Sequence, residues 1–274
     1  MKGALVDPRA RIGLAVFAAI CAACALVPEV FALDPHATDL ANRHAAPSLS
    51  RWMGTDALGR DLMARVLIGG RTSLLVGVAA SLVSVLIGTL YGAFSGTRGG
   101  ALDEAMMRVV DFLYGLPYMF LVILITMLFS DTARGEALPV FVALGLVQWL
   151  TTARIVRGEA LSLAQRDFVA AARALGASEL RVLFVHIIPN LMGTVLIYAA
   201  LTVPSVILLE SFLSFLGLGV ALSWGELVAE AVSVVNPIAS RWWLLAFPSA
   251  FLAATLLSLN LLGDAMRDAL DPKR

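Results

Sequence analysis

Apolar and polar stretches alternate along this chain on a long scale, giving six apolar runs at residues 12–33, 73–94, 109–129, 138–153, 191–209 and 242–262. A hydrocarbon layer about 30 Å thick takes roughly 20 apolar residues per helical crossing. Each run is therefore predicted to cross a membrane once, the fourth being short. Residues 206–224, VILLESFLSFLGLGVALSW, are apolar as well, but Glu210 and the pair Gly217 and Gly219 make them a poor independent span. They read as the end of the fifth span followed by a surface or re-entrant element, with a seventh crossing as the alternative. The predicted fold class is an all-α polytopic membrane protein of about six transmembrane helices. Residues 1–71 hold the first span and a polar amphipathic segment, and residues 72–274 form the core transmembrane domain.

The segment after the first span is too long for a simple turn. Its second half, GTDALGRDLMARVLIGG, sets Leu58, Leu62 and Val66 at i, i+4 and i+8 with Arg60, Asp61 and Arg65 between them. That pattern predicts a helix lying on the membrane surface and leading into the second span, with Asp56 capping its start; the alternative is an ordinary solvated connector. Cationic residues gather on one set of connecting segments: Lys2, Arg9 and Arg11; Arg98 and Arg108; Arg154, Arg157, Arg166, Arg173 and Arg181; Arg267, Lys273 and Arg274. This bias predicts both termini in the cytoplasm, diluted by Arg43, Arg51, Arg60, Arg65, Arg71, Arg134 and Arg241 on the other side. Arg241, Trp242 and Trp243 suit the outer headgroup layer.

Composition agrees with the membrane reading: 59% of the 274 residues are hydrophobic and 15% charged, against about 25% charged in soluble domains. Basic and acidic residues number 20 each, so no global charge points to nucleic acid. Lys2 and Lys273 are the only lysines, and neither sits in the GxxxxGK[ST] context of a phosphate-cradling loop. None of His36, His44 and His186 precedes a glutamate, so HExxH is absent, as is GxSxG. No catalytic residue, metal or cofactor is expected in this chain. Glu29, Asp111 and Glu210 lie near the ends of their runs, which leaves little for a proton pathway through the membrane. Cys21 and Cys24 form a CxxC inside a helix-length apolar run and read as small packing residues. The first run, with Lys2, Arg9 and Arg11 ahead of it, also has signal-peptide character. Apolar residues resume after Pro28 and Glu29 and further spans follow, so its retention is expected.

The stretch RDFVAAARALGASELRVLFVHIIPN, residues 166–190, interrupts two apolar runs with polar and basic residues. After Asp167, a predicted N-cap, Phe168, Ala171, Ala172 and Leu175 recur at helical spacing with Arg173 on another face. Gly176 supplies a left-handed stop, Ser178 caps a second short helix, and Pro189 suits the start of the next span. Three consecutive alanines, Ala170 to Ala172, keep one surface low enough for another protein to approach. Periodicity alone leaves headgroup binding and protein docking both open.

These residues resemble the cytoplasmic loop of the inner-membrane permease subunits of ATP-binding-cassette importers, whose pattern is EAAxxxG, nine residues, then IxLP. Ala170, Ala171, Ala172 and Gly176 occupy the first part, and His186, Ile187, Ile188 and Pro189 the second. Ala170 stands at the glutamate position, so no ion pair is implied there. MGTDALGRDLMARVLIGGRTSLLVG, ESFLSFLGLG and NLLGDAMRDALDP are similar to the second permease of dipeptide, oligopeptide and nickel uptake systems, in order from about Met53 to the C-terminus. The resemblance implies a bacterial inner-membrane subunit that imports peptides, with nickel the nearest rival. It implies a homologous second permease, two ATPase subunits that bind ATP and Mg, and an external solute-binding protein. It also implies that Asp167, Ala170, Ala171, Ala172, Arg173, Gly176, Ile188 and Pro189 form the loop that couples to the ATPase, with Arg173 and Arg181 either pairing with acidic partner groups or solvated. The competing class is an ion-coupled secondary transporter, against which the missing internal repeats argue.

Overall fold

The computed structural model describes residues 7–129, 138–234 and 240–270; Lys2, Arg134, Lys273 and Arg274 lie outside them. Among the described residues the regular structure is helical: α1 (Pro8–Val30), α2 (Leu62–Arg98), α3 (Gly100–Tyr114), α4 (Tyr118–Phe129), α5 (Leu138–Ala164), α6 (Asp167–Ala174), α7 (Glu179–Arg181), α8 (Ile188–Phe215), α9 (Trp224–Val234) and α10 (Trp242–Leu270). A π-helical stretch, Val182–Ile187, joins α7 to α8. Among the described residues, five helices are long and apolar enough to cross a membrane, or six if α3 and α4 count as one broken span.

The third predicted run is that broken span. Its two halves meet at 86°, because Pro117 follows Gly115 and Leu116 and has no N–H to continue the ladder. The fourth run is not short: α5 continues through a polar end to Ala164, where hydropathy no longer marks it. Residues 206–215 complete α8, Gly217 takes φ +76° just beyond it, and the chain turns into the short α9. With 11 residues, α9 is too short to cross about 30 Å. Trp224 at its start is fully buried, donating Nε1–H to the Val66 carbonyl (2.9 Å) and its backbone N–H to Ser73 Oγ (3.2 Å). Glu210 of α8 is buried too, accepting from Ser214 Oγ at 2.7 Å.

The predicted surface helix gives way to a turn. Gly59 adopts φ +75° with the Asp39 carbonyl so close that no Cβ fits, and Asp61, not Asp56, caps the helix by accepting from Met63 N and Ala64 N. Asp56 organises the turn instead, accepting from Leu58 N and Arg60 N and pairing with Arg60 Nε (2.6 Å) and Arg65 Nη1 (2.8 Å). Burial pushes its carboxyl up, but the Arg60 side chain, the two backbone donors and the Arg65 charge outweigh that and hold it below the usual carboxylate range. Leu62 and Val66 enter the core. Arg65, on what reads as a solvated face, is only 3% exposed and forks onto Glu230 of α9 at 2.5 and 2.9 Å. Trp243 is likewise buried against Gly54 and Thr55, leaving Trp242 as the exposed tryptophan of that pair.

At the same end of the bundle, a side chain of α2 reaches across to α1. Pro28 inside α1 cannot donate to the Cys24 carbonyl one turn back. Arg71 of α2 supplies the missing donor, Nε to Cys24 O at 2.6 Å, and adds Nη2 to Ala25 O and Nη1 to Glu29. Both cysteines are free, and Cys24 packs where Gly70 and Trp224 meet. Arg71→Met is expected to leave the Cys24 carbonyl unpaired, destabilising the α1 contact by about 2 kcal/mol. A lowered midpoint of thermal unfolding in detergent, with Arg71→Lys intermediate, checks this; an unchanged midpoint in both variants counts against it.

Candidate functional site

At the opposite end, α2 and α5 stop side by side and the polar segment 166–190 folds across them. The two helices are held unusually close by glycines one turn apart. A Cβ on Gly88 would lie 2.7 Å from the Trp149 carbonyl, on Gly92 it would collide with the Ala153 carbonyl, and on Gly96 it would lie 2.6 Å from the Arg157 carbonyl. Small residues at four-residue spacing are what close helix approach in a membrane requires. Arg157 and Asp103 then join α5 to α3 through a two-pronged contact, with Ser95 of α2 donating to the same carboxylate.

The segment itself begins with Arg166 in extended conformation as the N-cap residue, and Asp167 is the first helical residue of α6. Asp167 therefore meets the helix N-terminus as a favourable charge in the first turn rather than as the predicted cap. Val169 is the one fully buried residue of α6, packed among Val182, Leu183 and Ile187. The helix ends as predicted at Gly176, φ +85°. Gly176 N donates to Arg173 O and Ala177 N to Ala172 O, the paired bonds that satisfy a helix C-terminus. Ser178 caps α7 by accepting from Arg181 N.

Pro189 lies in the first turn of α8, as expected, but the helical run leading into that span begins earlier. Glu179–Phe215 is a single 37-residue helical run, in which the π-helical turn Val182–Ile187 precedes the proline. The wider turn places Ile188 N on Leu183 O, and Asn190 Nδ2 reaches the His186 carbonyl at 2.6 Å. A proline that would break an α-helix is accommodated by the change of register.

Together these elements form an open groove on the end of the molecule. Ala171, Ala172 and Gly176 make its low floor, with Phe168, Arg181 and His186 around it. Leu175, 90% exposed, stands at its rim, and Leu180, Phe184 and Val185 are exposed beside it. Ala170 is exposed on α6, while Ile188 is half-buried and packs toward the bundle beside the exposed Pro189 position. Arg173, exposed on α6, forks its guanidinium onto both carboxylate oxygens of Glu179 at 3.0 Å. Glu179 was not among the residues singled out by sequence; its opposite charge across the Gly176 turn was the available signal. The arrangement offers a low-relief surface lined by small and apolar residues together with Ser178, Arg181 and His186.

Comparison with known proteins gives this surface its context. The oligopeptide transport system permease protein OppC of Haemophilus influenzae is 46% identical over 267 residues, covering 95% of this chain and 83% of its own length. OppC of Escherichia coli K12 is 47% identical over 248 residues, 89% of this chain and 79% of that protein. The dipeptide transport system permease protein DppC of Bacillus subtilis is 42% identical over 248 residues, 88% and 75% respectively. Residues 85–274, which include both the glycine seam and the groove, match the model of the binding-protein-dependent transport system inner membrane component. The chain belongs to that family of inner-membrane transport permeases.

Proposed function

We propose that this chain forms half of the translocation path of an ATP-driven peptide importer in a bacterial inner membrane, alongside a homologous second permease. Two ATPase subunits hold ATP and Mg, and an extracytoplasmic binding protein delivers the substrate. The observation that carries the reading is sequence identity of 40% or more, over most of the chain, to permeases named for oligopeptide and dipeptide transport. In this reading both termini and the 166–190 segment face the cytoplasm, as the arginine distribution suggests. Asp167, Ala170, Ala171, Ala172, Arg173, Gly176, Ile188 and Pro189 belong to the element that receives the ATPase. Residues 1–71 add a span and an external cap to the core in 72–274.

The physical logic is transfer of a rigid-body motion. The floor of Ala171, Ala172 and Gly176 lets a partner approach the backbone closely, so its displacement is not taken up by flexible side chains. The complex of both permeases, the ATPase subunits and the binding protein, reconstituted in vesicles, is expected to accumulate peptide only when ATP is supplied on the groove side. Accumulation driven by an ion gradient without ATP would reject the reading. A panel of dipeptide, longer peptide and nickel complex offered to the binding protein tests the substrate, and a response to nickel alone would replace peptide by metal.

A further inference from the structure

We propose that Arg173 is the positioning residue that ties α6 to the membrane helices. The proposal rests on the coupling role of the 166–190 segment and assigns to Arg173 the transmission of force out of it. Beyond its fork onto Glu179, the guanidinium reaches two backbone carbonyls: Nη2 lies 3.3 Å from Thr97 O and Nη1 3.5 Å from Ala164 O. Thr97 is in the last turn of α2 and Ala164 is the last residue of α5. Carbonyls at a helix C-terminus have no partner inside the helix and carry the negative end of its dipole, so a cation placed there is held by both effects.

One planar group thus touches the ends of three spans. Its α2 and α5 contacts fall just beyond Gly96 and Ala160, where those helices are already locked together. Its third contact, Glu179, opens the 37-residue helical run that becomes α8. Without Arg173, α6 keeps the buried Val169 and the looser ring contact of Phe168 with His186 (6.4 Å), and a helix of eight residues held mainly at one end can tilt with less effect on its neighbours. With Arg173, a push on the groove reaches α2, α5 and α8 at once. Guanidinium is suited to this because its donors are fixed in one plane, whereas an ammonium is a point charge on a flexible stem.

The test uses the full reconstituted complex and reads peptide imported per ATP hydrolysed, together with photo-crosslinking from an unnatural residue at Leu175 to the ATPase subunit. Arg173→Ala is expected to keep the crosslink while the transport ratio falls about tenfold, within the range of coupling between distant sites. If the alanine variant does not assemble, Arg173→Lys decides, because it retains the charge and is expected to show most of the same loss. Exchanging the charges, Arg173→Glu with Glu179→Arg, remakes the pair across the turn but not the contacts with Thr97 O and Ala164 O, and is expected to stay uncoupled. Restored coupling in that exchange would overturn the strut, as would an unchanged ratio in Arg173→Ala with the crosslink intact. Absence of the crosslink in the parent complex would instead overturn the docking reading beneath it.

Discussion

Gly92→Leu is expected to abolish accumulation of the folded protein. The Cβ alone would collide with the Ala153 carbonyl and lie 2.9 Å from the Arg157 nitrogen, both backbone atoms that have no rotamer to escape into. The remaining leucine atoms would have to displace α5 along its length. Overpacking of even one or two methylenes in a close-packed interior costs about 1–3 kcal/mol. Four added carbons against backbone exceed that, and native stability is only about 5–15 kcal/mol. Lipid tails are as apolar as leucine, so helix association in a membrane depends on close contact more than on burial. Forcing α2 and α5 apart removes that contact, and it also opens the Arg157–Asp103 contact at the same end. Gly158→Ala supplies the comparison, since nothing lies within 4 Å of a Cβ placed there. Membrane-fraction yield and the thermal midpoint in detergent check the pair: Gly92→Leu should show neither yield nor a cooperative transition, and Gly158→Ala should match the parent. A well-folded Gly92→Leu protein would mean that the seam is not what holds these helices.

Much of the fold is legible because hydropathy reports length and polarity directly, and the spans in α1, α2, α8 and α10 follow from it. What hydropathy cannot report is where a helix goes after its apolar part ends. Hence α2 starts at Leu62 rather than in its apolar middle, and α5 runs on through Arg154 and Arg157 to Ala164. In both places arginine remains within the helix because a carboxylate from another element meets it: Glu230 and Asp56 for Arg65, Asp103 for Arg157 and Asp111 for Arg154. Such long-range pairs leave no mark in local spacing. The segment around Leu58, Leu62 and Val66 shows the same limit from the other side. Its helical period is real from Leu62 onward, but Gly59 ends the pattern in a turn whose tightness depends on Asp39, twenty residues earlier in the chain.

The groove was more accessible to sequence reasoning because its shape is set by local chemistry. Gly176 as a left-handed stop, Ser178 as a cap and the small floor of Ala171 and Ala172 are each decided within a few residues. The glycine seam of Gly88, Gly92 and Gly96 was not singled out from the sequence, because the helix it packs on leaves no mark in local spacing. The internal engagement of Arg173 and the π-helical continuity through Pro189 were hidden. Both depend on how the loop sits on the ends of α2 and α5.

Gly176→Asp is expected to leave the protein folded and stop coupled uptake, and the structure separates the two consequences. A Cβ at Gly176 meets nothing within 4 Å, so the chain itself has room for a side chain. The left-handed φ of +85° costs an L-residue roughly 1–2 kcal/mol, and aspartate and asparagine are among the residues that tolerate it best. That strain falls on a short turn at the surface, so assembly and thermal midpoint should change little. The new carboxylate, however, is added beside Leu175 to the lining of the groove. If a partner covers that groove, an unpaired charge is trapped in the interface, and about 3 kcal/mol of loss, at the lower end for an uncompensated buried charge, corresponds to roughly a hundredfold fall in uptake. Gly176→Asn imposes nearly the same backbone strain without the charge, so it should retain far more transport than Gly176→Asp. The two variants, compared in uptake per ATP hydrolysed and in recovery of the ATPase subunits on purification, separate trapped charge from backbone strain. Equal loss in both would assign the effect to the turn, and normal uptake in both would remove this surface from the coupling path.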